Sequence, residues 1–160
     1  MIRGDVYRAM YNILFRGKAI NRNPNGGHRT NYKNGDWVYG LISKPYDKKY
    51  DLPAEMTNTD GITGIDVDRN TIGMWTGKVD CEENCIFEND ILQDTDTGEI
   101  VIVQWFEEHI AFMVWRTSIN KIEFLYSFLE GKKLKIVGNE FDNNDLIDKG
   151  MEQFIIPKER

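Results

Sequence analysis

The sequence contains few of the residues that metal or thiol chemistry requires. Its 160 residues include only two cysteines, Cys81 and Cys85, and two histidines, His28 and His109. Two cysteines cannot build a disulfide framework. Structural zinc needs four ligands, usually with tighter cysteine spacing than Cys81-x-x-x-Cys85. We therefore expect no metal and no cofactor, and we interpret the cysteines as free thiols in an acidic loop.

Long apolar segments are also absent. The longest strong run, Ile110 to Trp115, is far shorter than the roughly 18 apolar residues that a membrane span requires. Near the start of the sequence, Arg3, Asp5 and Arg8 occupy positions where a secretory signal would need an apolar stretch. These features predict a soluble, cytoplasmic chain with no membrane partner.

The composition is that of an ordinary globular protein. Hydrophobic residues make up 41% of the chain, aromatic residues 12% and charged residues 29%, so disorder is not expected. A chain of this length can close one hydrophobic core by itself. We predict a single domain over residues 1–160.

Charge is unevenly distributed along the chain. The formal net charge is −6, yet residues 1–50 hold ten basic and three acidic residues, a balance of +7, which leaves −13 for the remainder. Such asymmetry suggests internal pairing, head-to-tail self-association, or a basic arm that binds a polyanion. Composition alone does not choose among these three.

The pattern of apolar and turn residues predicts mostly strands. The clearest element is a hairpin, in which Glu107-Glu108-His109 separates the runs Ile-Val-Ile-Val-Gln-Trp-Phe and Ile-Ala-Phe-Met-Val-Trp. Helical spacing with a following Gly131 predicts a helix over 121–130, and a short helix is expected near 145–154. Further strands are predicted at 11–16, 36–42, 64–69, 71–76, 90–93 and 133–138, with a loop and a short strand over 43–61.

These elements indicate a mainly β fold. Runs that are apolar on both faces belong in a barrel or between layers, because one face of an open sheet would leave their tryptophans in water. We expect a small barrel-like β domain with one covering helix, followed by an acidic tail at about 140–160 that includes the short helix.

A long basic loop at about 17–35 is the main candidate functional segment. It is rich in Asn and Gly, and loops of this length inside compact domains are often functional. Positive charge combined with aromatic stacking surface is typical of sites for nucleic acids or acidic partners. The candidate binding residues are Arg16, Lys18, Arg22, Arg29, Tyr32, Lys33 and Trp37.

Carboxylate patterns offer weaker candidates. The segment Asp94-x-Asp96-x-Gly98 resembles a calcium loop, but the glycine falls one place early and Trp105 stands where a glutamate is required. Asp66 and Asp68 share one strand face, as in some metal-dependent hydrolases, but a third ligand is not evident. Cys–His catalysis is disfavoured by Glu82 and Glu83, which oppose a thiolate.

Three motifs occur in order along the chain. The first is Phe15-Arg16-Gly17-Lys18 with Trp37-Val38-Tyr39-Gly40. The second is Thr71-Ile-Gly-Met-Trp-Thr-Gly77 followed by Ile86-Phe-Glu-Asn-Asp-Ile91, and the third is Ile136-Val-Gly-Asn-Glu-Phe-Asp-Asn143. Together they resemble the YopX-like family of phage and prophage proteins. The chain departs from the family pattern at Asn89, where glycine is usual, and at 80–85. The resemblance implies a mainly β, barrel-like architecture, an origin in mobile elements and no known activity.

The motif residues have a structural interpretation. Gly73 and Gly77 suit a positive φ or a close backbone approach, and Asp90 can accept backbone N–H bonds beside a turn. The residues assigned to the fold are Trp37, Gly40, Gly73, Thr76, Gly77, Asp90, Gly138 and Asn139.

We therefore expect a non-enzymatic interaction or assembly protein that forms a homo-oligomer through complementary charge. A nucleic-acid-binding barrel that uses loop 16–33 is the alternative, and a metal-dependent hydrolase is a second alternative.

Overall fold

A computed structural model describes residues 14–21, 31–116, 119 and 121–147. These residues form two compact units. The first unit comprises the described residues up to Met74, and the second comprises those from Trp75 onward. The protein is mainly β, as predicted: eleven strands account for most of its regular structure, with one short α-helix among the described residues.

The first unit is an antiparallel sheet. Its strands are β1 (Phe15–Lys18), β2 (Trp37–Lys44), β3 (Ala54–Asn58) and β4 (Ile65–Val67), and the sheet also includes the start of β5 (Gly73–Val79). They lie in the order β4-β3-β2-β1-β5. Strand β2 was expected over 36–42 and β1 over 11–16, so both run slightly further along the chain than predicted; residues 11–13 lie outside the described residues.

Alternating side chains build the core of the first unit. In β3, Ala54 and Met56 are buried while Glu55 and Thr57 are partly exposed, which is the period of two that a half-buried strand shows. A 3-10 turn, Arg69–Thr71, follows β4 and is capped by Asp68, whose side chain accepts from the Asn70 N–H. The core residues are Ala19, Val38, Ala54, Met56, Ile65, Val67 and Ile72.

The barrel-like character that we expected is not confirmed. Among the described residues the strand ladders of each sheet run in a linear order with free ends. The nearest approach to closure is in the first unit, where Ala19, just beyond β1, forms an isolated bridge with Val67. The Ile20 N–H donates to the Asp66 carbonyl, and the Asp68 N–H donates to the Lys18 carbonyl, each at 2.8 Å.

The second unit contains a five-stranded antiparallel sheet in the order β10-β9-β8-β7-β11. The far end of β5 also lies in this unit and pairs with β6. The helix α1 lies between β10 and β11 in the chain. The bounds are β6 Cys85–Phe87, β7 Asp90–Asp94, β8 Ile100–Phe106, β9 Ala111–Arg116, β10 Lys121–Phe124, α1 Leu125–Leu129 and β11 Leu134–Asn139.

The predicted hairpin is confirmed as β8 and β9, joined by a 3-10 turn over Glu107–His109. Its sheet is covered on both faces, as expected for strands that are apolar on both sides. On one face Val103 and Val114 pack with Phe128 of α1, and on the other Ile102 and Trp115 pack with Ile147.

The predicted helix over 121–130 is only half correct. Residues 121–124 form β10, which pairs with β9 so that Ile122 lies opposite Trp115, and the helix is confined to Leu125–Leu129. Pairing with an exposed strand edge outweighed the helical spacing of these apolar residues, because tertiary contacts override weak propensities. Gly131, with a φ of 69°, follows the helix as predicted.

Two further differences concern the ends of elements. A strand was expected over 71–76, but β5 continues to Val79, with Gly77 at a φ of 77° inside it. Of the helix expected over 145–154, only a 3-10 turn at Asn144–Leu146 is described, and residues 148–160 lie outside the described residues. No helix in the described part of the chain is long and apolar enough to cross a membrane.

Candidate interaction surface

Two basic side chains lie against one indole on the β1–β2 hairpin. Lys18 is paired directly with Trp37, and Arg16, two residues earlier, shares the same face of the strand. The Arg16 guanidinium carbon lies 4.7 Å from the Trp37 ring centroid, and the Lys18 ammonium lies 5.4 Å from it. Both distances are within the range of cation–π attraction. We call Arg16, Lys18 and Trp37 the cation–indole cluster.

The opposite face of this hairpin forms the core, which fixes the orientation of the cluster. Val38 is fully buried, and a Cβ placed on Gly17 would come within 3.3 Å of Val67. The cluster therefore faces away from this core. Its members differ in exposure, because Arg16 is only 6% exposed while Lys18 and Trp37 are half-buried. Lys18 and the indole thus provide most of its accessible surface.

The ends of the long basic loop are fixed beside this cluster. The Ala19 N–H donates to the Asp36 carbonyl at 2.8 Å, and the Gly35 N–H donates to the Ala19 carbonyl at 2.9 Å. The side chain of Lys33 is exposed near this base, and its backbone N–H donates to the Asp36 carboxylate. The predicted residues Arg16, Lys18, Lys33 and Trp37 are therefore all on or next to one hairpin.

The other predicted binding residues are not brought to this surface by described contacts. The phenol oxygen of Tyr32 accepts a hydrogen bond from the Asn58 amide at 3.0 Å, and its ring packs against the core of the first unit. Tyr32 therefore contributes to the packing of the first unit and is half-buried. Arg22 and Arg29 lie outside the described residues.

The two cysteines do not both lie in an acidic loop, as the sequence had suggested, because Cys85 belongs to a buried strand. Cys81 is exposed, whereas Cys85 is buried at the start of β6. His109 lies edge-on between the rings of Phe106 and Phe124. Within the described ranges, no group of three or more His, Cys, Asp or Glu side chains is placed to hold a metal ion.

The candidate carboxylates bind backbone groups. Asp68 caps the 3-10 turn and lines a cleft of about 190 Å³ together with Tyr46 and Arg69. The Asp94 carboxylate accepts the Asp96 N–H at 3.0 Å, in the turn that resembled a calcium loop. Burial of Asp94 acts to raise its pKa, but the N–H groups of Asp96 and Thr97 and the Thr97 hydroxyl outweigh burial and lower that pKa.

A second cleft, of about 290 Å³, lies in the second unit. It is lined by Lys78, Lys132, Cys81 and Tyr126 among others. The Lys78 ammonium lies 4.9 Å from the Tyr126 ring centroid, and Lys132 lies 4.2 Å from that of Phe128. This cleft could not be predicted from local sequence, because its lining comes from three separate segments.

Hydrogen bonds connect the family motifs within the second unit. The Thr76 hydroxyl donates to the Ile86 carbonyl at 2.8 Å, which joins the two parts of the second motif. The Asp90 carboxylate accepts the Phe87 N–H at 2.7 Å, as expected for a carboxylate beside a turn. The Glu140 N–H donates to the Asn89 carbonyl at 3.0 Å, which joins the second motif to the third.

The remaining motif residues lie in turns and close contacts. Asn89, where the family pattern has glycine, has a φ of 70°. The Asn139 amide oxygen accepts the N–H groups of Phe141 and Asp142. A Cβ on Gly138 would overlap the Asn143 side chain, and Gly73 is buried at the start of β5. Their printed contacts are all local to turns and strand ends.

Two buried polar residues, Gln104 and Asp80, were not predicted from the sequence. Gln104 is 3% exposed, and its amide donates to the Asn89 side chain at 3.0 Å and to the Glu140 carboxylate at 3.1 Å. Its position inside an otherwise apolar run was a usable signal, because a polar residue there must find buried partners. Asp80, 6% exposed, accepts N–H groups from both its own loop and Ile136 of β11. Asp80 does not lie in an apolar run, so the local sequence did not indicate its burial.

Comparison with known proteins supports the resemblance. The family model described as YopX protein matches residues 23–148, which include the second and third motifs and the hydrogen bonds between them. Comparison with curated proteins finds no match. Because the family model covers most of the chain, this protein belongs to the YopX family.

Proposed function

We propose that this chain is a non-enzymatic interaction module of a phage or prophage, which acts in the cytoplasm and self-associates through complementary charge. The surface around the cation–indole cluster of one copy contacts the acidic second unit of another copy. The resemblance of the motifs to phage and prophage proteins supports the proposed origin.

The segregation of charge between the two units carries this proposal. From residue 14 to residue 74 the sequence has nine basic and seven acidic residues, a net +2. From residue 75 to residue 147 it has six basic and fifteen acidic residues, a net −9. Two of the nine basic residues, Arg22 and Arg29, lie outside the described residues, so the described part of the first unit is neutral while the second unit is strongly acidic. This difference favours contacts between the basic cluster of one copy and the acidic unit of another.

The composition of the cluster also suits a protein contact. Arginine and tryptophan are enriched among residues that dominate binding energy at interfaces. Arg16 and Trp37 are already held together, so little side-chain freedom remains to be lost on binding. Lys18 and Lys33 add charge at the accessible edge, where they would steer an acidic partner.

The carboxylates near the two clefts support a non-enzymatic role. Asp68 and Asp80 each accept backbone N–H bonds that shape a local turn. A general base or a metal ligand needs lone pairs directed at a substrate or an ion instead. In the hydrolase alternative, based on Asp66 and Asp68, one Asp68 oxygen already accepts the Asn70 N–H.

Light scattering on a size-exclusion column tests the proposal. We expect a defined oligomer at low salt that dissociates in about 0.5 M salt, where the Debye length falls to a few ångströms. The double variant Lys18→Glu, Lys33→Glu should be a monomer at low salt. The matched control Lys48→Glu, Lys49→Glu makes the same charge change on the same unit and should remain oligomeric. A wild-type monomer at low salt would refute self-association.

Nucleic-acid binding is the second candidate, because cations and an aromatic ring lie together at the base of a basic loop. The same column run with a single-stranded oligonucleotide distinguishes it. A wild-type monomer that shifts with the oligonucleotide, with affinity that falls steeply with salt, would establish this alternative. In that case Arg22→Glu with Arg29→Glu should abolish the shift.

A further inference from the structure

The cleft of about 290 Å³ in the second unit combines two ammonium groups with an exposed aromatic ring. Lys78 reaches it from β5, Tyr126 from α1, and Lys132 from the connection between α1 and β11. We call it the lysine–tyrosine cleft, after these three residues. Its volume is close to the lower end of the range for small-molecule sites, which suits a ligand no larger than a single nucleotide.

Hydrogen bonds and core packing hold the walls of this cleft in place. The Lys78 carbonyl accepts the Trp75 indole N–H at 2.9 Å. The Cys81 N–H donates to the Leu134 carbonyl at 2.8 Å, which joins the loop after β5 to β11. Helix α1 is anchored by Phe128, which is fully buried. The cleft is therefore formed before a ligand binds, so little conformational freedom is lost on binding.

The two ammonium groups lack close acidic partners. Within the part of the chain that the structure describes, Lys78 forms no ion pair, and its ammonium lies 4.9 Å from the Tyr126 ring centroid. Lys132 approaches the Asp94 carboxylate only at 4.0 Å, the long limit for an ion pair. Two such cations in a unit with a net charge of −9 point to an anionic ligand.

Two acidic residues, Asp80 and Glu130, also line the cleft. The Asp80 carboxylate is buried and accepts the N–H groups of Asn84 and Ile136, which offset its charge. Glu130 is exposed, so water and salt screen its charge, and its carboxylate can accept a hydrogen bond from a ligand hydroxyl. The lysines therefore remain the groups that an anion would contact.

Tyr126 adds a surface for a flat ring. It is 62% exposed, and the half-buried side chains of Val79 and Leu129 line the same cleft. Lysine ammonium groups bind phosphate as point charges, and aromatic rings stack on nucleobases. We propose that the lysine–tyrosine cleft binds a nucleoside monophosphate, with its phosphate at Lys78 and Lys132 and its base against Tyr126. The site is independent of the proposed assembly, since none of its residues belongs to the cation–indole cluster.

Isothermal titration of the full chain with adenosine monophosphate at about 0.15 M salt tests this assignment. We expect saturable binding of one nucleotide per chain. Inorganic phosphate and adenosine should each bind roughly tenfold more weakly or worse, because each makes only one of the two kinds of contact. Lys78→Gln should weaken nucleotide binding about tenfold, because a hydrogen bond to a charged group is lost.

Tyr126→Ser is a second variant that keeps the fold, because its ring is largely exposed. It should weaken binding of the nucleotide about tenfold and leave binding of inorganic phosphate unchanged, since only the stacking contact is lost. Equal weakening of both ligands would contradict the proposed placement of the base.

Lys133→Gln is the matched control. Lys133 is exposed and follows Lys132 in the chain but lies outside the lining of the cleft, so the same loss of charge should leave nucleotide binding unchanged. The double variant Lys18→Glu, Lys33→Glu should also bind the nucleotide as the wild type does, which separates this cleft from the cation–indole cluster.

Four results would overturn the proposal. These are no saturable binding up to a few millimolar nucleotide, equal affinity for the nucleotide and inorganic phosphate, equal weakening by Lys133→Gln and Lys78→Gln, and loss of binding in the double variant of the first unit. The last result would mean that the nucleotide occupies the cation–indole cluster.

Discussion

Replacement of Asp80 by alanine should destabilise the second unit strongly. The Asp80 carboxylate accepts the N–H groups of Glu82 at 2.9 Å, Asn84 at 2.8 Å and Ile136 at 3.1 Å. It also accepts the Asn84 side-chain amide at 3.1 and 3.2 Å. One buried carboxylate thus holds the 80–84 loop closed and joins it to β11.

The expected loss follows from the donors that alanine would leave without an acceptor. Asn84 is 8% exposed and the Ile136 N–H bond is buried. Each of these two residues left without its acceptor would lower the free energy of unfolding by roughly 1–3 kcal/mol. Glu82 is exposed, and water can replace its bond. The sum is about 2–6 kcal/mol, or a shift of roughly 1–3 M in the urea midpoint for an m-value of about 2 kcal/mol/M.

Urea unfolding monitored by tryptophan fluorescence measures this loss, because Trp75, Trp105 and Trp115 all lie in the second unit. Asp80→Asn keeps one acceptor oxygen and should lose less than Asp80→Ala. Asp96→Ala, an exposed turn residue, should change stability by less than about 0.5 kcal/mol. A loss below about 1 kcal/mol for Asp80→Ala would refute the reasoning.

Three further predictions concern the second unit. Asn89→Ala should cost about 1 kcal/mol more in urea unfolding than Asn89→Gly, because both lose the Gln104 bond but only alanine meets strain at a φ of 70°; equal losses would contradict this. Phe128→Ala should lower the free energy of unfolding by about 3–5 kcal/mol, because the fully buried ring leaves a cavity; a smaller loss would mean that the site collapses. The lowered pKa of Asp94 stabilises the fold above its usual pKa of 3.8, and this stabilisation is lost as pH falls through the lower folded value. Asp94→Asn should therefore lose less stability than the wild type between pH 5 and about pH 2 in acid titrations followed by circular dichroism, and identical pH profiles would count against the assignment.

The sequence predicted elements well where local pattern and tertiary packing agree. The β8–β9 hairpin was visible because two apolar runs flank a polar turn, and both faces of its sheet are buried. Residues 121–124 were misassigned because the spacing of Ile122 and Leu125 is compatible with a helix as well as with an edge strand. The choice depends on pairing with β9, which lies elsewhere in the chain.

The candidate surface was partly predictable for the same reason. Lys18 and Trp37 are cross-strand partners, so the strand assignments already placed them together. The role of Tyr32 depends on Asn58, 26 residues away, and could not be inferred from local sequence. The Asp80 and Gln104 contacts likewise join distant segments, and only Gln104 stood out within an apolar run.

Gly40 has a consequence for the comparison of remote relatives. It lies opposite Asn58 across the β2–β3 pair, and a Cβ there would overlap the Thr57 carbonyl oxygen, which is backbone and cannot rotate away. Any sequence that keeps this pairing should therefore keep a glycine at the equivalent position, whatever its other residues are. That glycine would act as a fixed reference point for aligning divergent sequences, and an alignment shifted by one residue would be recognisable because it places a side chain where none fits.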